Sequence, residues 1–219
     1  MSLGTLLLVV VLLAWAYRRV RGGRAGRSAA ARARQLRPAL TWLAALTGRG
    51  TGPSRDADRW EAGAVGERRT AARLDPLWLR LWFILHDRRL PTGRANVDHL
   101  VVTFLGTVFV IDTKRWSSHV RVRLCGGRIL HGSKDVTDRL RGLLHEARTV
   151  SAVLGRPVVP VVAMDGPSLD GGELLIDGIR IVTADRLVPT LRRLARCPRG
   201  FGPLIGWRAA RLLKPYGRN

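Results

Sequence analysis

The stretch Asn96-Val97-Asp98-His99-Leu100-Val101-Val102-Thr103-Phe104-Leu105-Gly106-Thr107-Val108-Phe109-Val110-Ile111-Asp112-Thr113-Lys114 decides the fold. Two β-branched, apolar runs flank Gly106, which is a turn signal. Strands over Val97 to Thr103 and Val108 to Asp112 therefore form a hairpin centred on Leu105. That register sets Asp98 directly opposite Asp112, with Cβ atoms ~5 Å apart, and a slip of one residue would break the pairing. Side chains alternate along a strand, so Asp112 and Lys114 share a face and His99 points away from it. His99 is thus expected to pack or hydrogen-bond rather than to hold a metal. Two carboxylates at this distance repel each other unless a cation lies between them, and hard oxygen donors suit Mg²⁺ or Mn²⁺. A lysine beside them can orient or deprotonate water, because its pKa shifts readily, whereas arginine stays charged. Asp-x-Lys alone is a common surface tripeptide. The opposed Asp98 and the apolar run leading into Asp112 raise its weight.

Outward from the hairpin, a helix is expected over Ala62 to Leu74 and a strand over Leu81 to His86, followed by a turn at Pro91-Thr92-Gly93. A second hairpin pairs His119 to Leu124 with Arg128 to His131 around Gly126-Gly127. Val136 to Leu154 places Leu140, Leu143, Leu144, Ala147, Val150, Val153 and Leu154 on one helical face. Val158 to Ala163 is a buried strand in which Pro160 argues for an edge or a bulge. Ile179 to Val182 is a last strand. Ala184 to Leu194 is a helix with a break or kink expected at Pro189, and Trp207 to Leu213 is a possible tail helix. The order predicts an α/β protein with a mixed central β-sheet flanked by helices.

The chain has 219 residues and a formal net charge of +22. Such an excess seeks a polyanion, either nucleic acid or anionic lipid. Only three of the 38 basic residues are lysine (Lys114, Lys134, Lys214), so Lys114 stands out against an arginine background. Two distant cysteines, Cys125 and Cys197, exclude a disulfide framework and a cysteine zinc site.

Leu3 to Tyr17 is uncharged and almost wholly apolar, and Arg18, Arg19 and Arg21 follow at once. As a helix it spans ~23 Å against a ~30 Å hydrocarbon core, a gap that snorkelling arginines reduce. A cleaved signal peptide, with Ala14-Trp15-Ala16 as its site, is the rival reading. No positive segment precedes the apolar run and a dense one follows it, which opposes cleavage. The expected organisation is a transmembrane anchor over 1–18, a basic linker over 19–57, the folded domain over 58–196 and a basic tail over 197–219. The positive-inside rule gives a single-pass protein of the cell membrane with its domain on the cytoplasmic side. For the linker, contact with lipid headgroups needs no fold at all.

Gly66-Glu67, then Val97 to Val102, then Val108-Phe109-Val110-Ile111-Asp112-Thr113-Lys114 resemble the nuclease-related domain called NERD, of the PD-(D/E)xK nuclease-like superfamily. The resemblance covers roughly residues 60–165. It implies a restriction-endonuclease-like α-β-β-β-α-β core with a metal site. In it Glu67 is the helix-borne acid, Asp98 and Asp112 are metal ligands, and Lys114 is the catalytic lysine. By spacing alone Glu67 reads as a solvated helix residue. Many relatives carry Gln or Asn in the helix after the core. Here that helix has no glutamine, which leaves His145 or Arg148 as a substitute substrate contact. Trp116 is a further candidate, for stacking on a base.

The expected function is that of a membrane-anchored, Mg²⁺- or Mn²⁺-dependent nuclease-like protein that hydrolyses phosphodiester bonds in nucleic acid, DNA rather than RNA. The rival is a catalytically inactive, membrane-tethered nucleic-acid-binding or scaffold module.

Overall fold

The computed structural model of the protein describes residues 23–36, 52–91 and 95–216. The expected anchor over 1–18, much of the linker and residues 92–94 of the turn lie outside the described residues. Among the described residues, no helix is long and apolar enough to cross a membrane.

A six-stranded mixed sheet is the frame. Its order is β1 (Phe83–Arg89), β2 (Asn96–Val102), β3 (Val108–Arg115), β7 (Val158–Asp165), β9 (Ile179–Thr183) and β8 (Glu173–Ile176). The first three strands form an antiparallel meander, and β7 and β9 continue it in parallel, with β8 antiparallel at the far edge. A small second sheet holds β4 (Val122–Cys125), β5 (Arg128–His131) and β6 (Lys134–Asp135).

The β2–β3 hairpin has the expected register, with His99 paired to Ile111, Val101 to Phe109 and Val102 to Val108. Gly106 takes a left-handed φ of 82° in its turn, and its N–H donates to the Thr103 carbonyl. Alternation splits the hairpin between two cores. Leu100, Val102, Val108 and Val110 join one, while Val101, Phe109 and Ile111 join the other. A sheet covered on both faces reads as continuous apolar runs.

Helix α2 (Gly52–Leu74) starts ten residues before the expected Ala62. Gly52 and Pro53, residue types that break a helix interior, here open it, where the missing proline N–H costs no hydrogen bond. Ala64, Glu67, Thr70, Ala71 and Leu74 form its buried stripe, at helical spacing. Gly66 lets this stripe close on β3, since a Cβ there would stand 3.2 Å from Thr113 Cγ2 and 3.3 Å from Arg115 Cβ. Helix α3 (Arg141–Leu154), entered through a 3₁₀ turn over Thr137–Leu140, packs on β3 and β7 from the other face.

Four sequence expectations are corrected. Strand β7 is central, not an edge; Pro160 is tolerated because pairing to β9 begins only at Val161. Pro189 does not kink a helix: α4 (Leu187–Leu194) starts two residues before it, which places the ring in the first turn. Strand β8 was not expected at all. The segment after Cys197 is not a free tail either. Helix α5 (Gly202–Leu212) packs on β1, β2 and α3, and buries Ala209 while Leu213 is buried just beyond it.

Part of the expected linker is also folded. Helix α1 (Arg27–Leu36) lies against α2 and buries Ala29 and Ala33. Asp87 of β1 caps it by accepting the Ser28 N–H at 2.7 Å. The Asn96 amide ties the junction by donating to Asp87 Oδ1 at 2.7 Å and to Ser28 Oγ at 2.9 Å.

Candidate active site

A cleft of about 1040 Å³ opens where α1, α2, the β2–β3 pair and α3 meet. Its floor holds Glu67 from α2, Asp98 from β2, Asp112 and Lys114 from β3, and Glu146 from α3. Asp98 and Asp112 continue the row of Leu100 and Val110, so the alternation that builds one core also delivers both acids to one side of the sheet. Asp98 accepts the Thr113 backbone N–H at 3.1 Å. Lys114 Nζ stands 2.7 Å from Asp112 Oδ2.

The floor is short of counter-charge. Burial raises the Glu67 pKa from 4.5 to about 7, with repulsion from Asp87 and Asp112 adding to it, against the Gly26 N–H and Lys114. Burial, then Asp112, raises Glu146 from 4.5 to about 8. Asp98 is raised well above the usual carboxylate range by burial and by Glu67, Asp112 and Glu146. Burial acts to lower the Lys114 pKa, but Asp112, Asp98 and Glu146 outweigh it and raise it. Glu67 Oε2 is buried without a hydrogen-bond partner, a costly condition for a polar atom.

These features fit a hard divalent cation: all-oxygen donors, mutual repulsion and an orphaned buried carboxylate oxygen. As the side chains stand, no three His, Cys, Asp or Glu groups among the described residues are placed to hold one ion together.

On the opposite face, a buried chain of polar contacts backs the hairpin. Asp75 Oδ1 lies 2.8 Å from His86 Nε2, and His86 Nδ1 lies 2.8 Å from His99 Nδ1. His99 Nε2 lies 3.3 Å from Thr113 Oγ1, which bonds Thr70 Oγ1 at 3.1 Å. His99 therefore packs and hydrogen-bonds behind the site, as its position in the alternation implied. Burial and His86 hold it well below the usual histidine range.

Glu67 is buried, not solvated as its spacing alone suggested. Trp116 lines the cleft, whereas His145 and Arg148 are exposed and do not. The cleft residue of α3 is Glu146, which lies between them. Asp87, Glu146 and the α1 wall were missed. The available signal for Glu146 was its place beside the buried stripe of Leu143, Ala147 and Val150.

With this geometry in hand, a comparison with known families matches residues 62–164 to NERD, the nuclease-related domain. This segment is similar to a nuclease-related domain. No curated protein and no solved structure matches the chain. The matched segment contains all five floor residues, and its order α2-β1-β2-β3-α3-β7, with the small β4–β6 sheet inserted after β3, is consistent with the PD-(D/E)xK-like superfamily. Helices α1, α4 and α5 and strands β8 and β9 lie outside it.

Proposed function

We propose that the cleft is a divalent-cation-dependent phosphodiesterase site acting on nucleic acid, with DNA as the preferred substrate. The carrying observation is the convergence of Glu67, Asp98, Asp112 and Glu146 around one lysine inside a nuclease-related domain. Asp98 and Asp112 would hold Mg²⁺ or Mn²⁺, supported by Glu67. When bound, such an ion lowers the pKa of a water and neutralises phosphate charge. With Asp112 engaged as a ligand, Lys114 would lose the pairing that keeps it charged, burial would favour its neutral form, and it could orient or deprotonate the attacking water. Glu67 and Glu146, whose raised pKa values leave them at least partly protonated near neutrality, would release those protons to a bound cation.

The apolar run Leu3 to Tyr17 supports a membrane anchor, and the arginines after it support a cytoplasmic domain in the cell membrane. A second reading, a binding module without turnover, is favoured by the Lys114–Asp112 contact, which keeps the lysine charged. A nuclease panel with metal dropout separates the two. Cleavage that needs a divalent cation supports the first reading. Salt-sensitive binding with no cleavage under any cation supports the second.

A further inference from the structure

Above its acidic floor the cleft carries a different chemistry. Trp60 lies on α2 and Trp116 just after β3, and both line the cleft. Each is paired with an arginine that also lines it. The Arg32 guanidinium lies 4.8 Å from the Trp60 ring centroid, and that of Arg139 lies 5.7 Å from the Trp116 ring. Arg32, Arg59 and Arg139 are exposed, while Glu67 and Asp112 are buried. Arginines therefore crowd the rim, with Asp56 among them, and carboxylates surround Lys114 at the base. Arg59 is shared with Asp56 at 3.1 Å, and Trp116 also meets the His131 ring at 5.2 Å.

From this layout we infer that the cleft takes a single-stranded polynucleotide, whose bases stack on Trp60 and Trp116 and whose phosphates are held by Arg32 and Arg139. The inference rests on the reading of the floor as a phosphodiester site and names its substrate class. Indole faces bind unstacked bases whatever their sequence, and arginine adds both cation–π contact and phosphate donors. A duplex hides its base faces inside the stack, so two tryptophans inside a cleft have little to hold there. Helix α1 makes the floor recessed: capped by Asp87, it brings Ser28, Ala29 and Arg32 into the wall. A separated strand can enter such a recess, whereas a duplex has to lie across its mouth.

The test uses the full chain in a neutral detergent with divalent cations chelated, so that binding is read without cleavage. Fluorescence anisotropy compares a labelled single-stranded oligonucleotide, as DNA and as RNA, with a duplex of equal length. The expected result is tighter binding of the single strand. Trp60→Ala and Trp116→Ala should each weaken it about 5- to 100-fold with little effect on duplex, and Trp116→Phe should retain most affinity. Arg32→Gln and Arg139→Gln should each reduce the single-strand salt slope by about 0.7. Should Trp116→Ala fold poorly, the exposed Trp60 and Trp116→Phe carry the comparison. Equal or tighter duplex binding, or single-strand affinity indifferent to Trp60→Ala, overturns the inference. A chain that binds single strands through the tryptophans but cuts nothing sinks only the proposed hydrolysis. One that cuts duplex and ignores the tryptophans sinks only this inference.

Discussion

Asp98 accepts the backbone N–H of Thr113 at 3.1 Å, so the first acid of the hairpin is fastened to the strand that carries the second acid and the lysine. One hydrogen bond thus fixes Asp98 on the residue between Asp112 and Lys114. Asp98→Asn keeps an acceptor for that N–H and removes the charge. The cation-free protein should melt at the same temperature or higher, because a repelling carboxylate is gone, while cleavage falls about 10²- to 10⁴-fold. Thermal melts and initial cleavage rates check the two halves. A large drop in melting temperature would show that Asp98 is mainly structural.

Lys114 provides the nearest positive charge to Asp112. Lys114→Ala should destabilise the cation-free protein by about 1–3 kcal/mol, and Lys114→Arg should restore most of that. Neither should restore cleavage, because arginine cannot give up its proton. Denaturant unfolding alongside a cleavage assay separates the roles. Normal cleavage by Lys114→Arg would reduce Lys114 to a charge.

The floor acids make a pH prediction of definite sign. Glu67 and Glu146 have folded-state pKa values of about 7 and about 8 against an ordinary 4.5. Between these values the folded protein binds more protons than the unfolded chain, so stability falls as pH rises. The contribution is complete below the ordinary value and is lost through pH 7 to 8. Melting temperature of cation-free protein should therefore decline across that window. Glu146→Gln should flatten the upper part of the decline, and Mg²⁺ should raise melting temperature most at pH 8. A flat profile without cation contradicts the described floor.

Gly206 tests whether the C-terminal segment belongs to the fold. A Cβ there would stand 2.2 Å from Phe83 Cγ. Gly206→Ala should cost about 1–3 kcal/mol by overpacking α5 against β1. Urea midpoints measure this, and an unchanged midpoint would return the segment to the status of a tail.

The hairpin was legible in the sequence because three local signals agreed: β-branched runs, a glycine at the turn, and a register that put two acids together. The docking of α1 was not. Its Arg- and Ala-rich composition is that of a basic linker, and what holds it is tertiary: Asp87, 59 residues from Ser28 in sequence, caps its start. Glu146 was hidden for a related reason. Helical periodicity shows which face of α3 is apolar, but not that the residue bordering this face looks into a cleft. Pro160 misled because a proline in a strand argues for an edge only where a paired neighbour needs its N–H, and pairing to β9 begins only at Val161. Glu67 came from the family resemblance; its burial follows from Gly66 drawing α2 onto β3.

The most direct test of the central claim is the initial rate of phosphodiester cleavage by the full chain as Mg²⁺ or Mn²⁺ is added back after chelation. The account predicts no cleavage without cation, a saturable rise with it, and a loss of at least about 100-fold in both Asp112→Ala and Lys114→Ala. Cleavage that persists under chelation, or that is equal in Lys114→Ala and the unaltered chain, would contradict it.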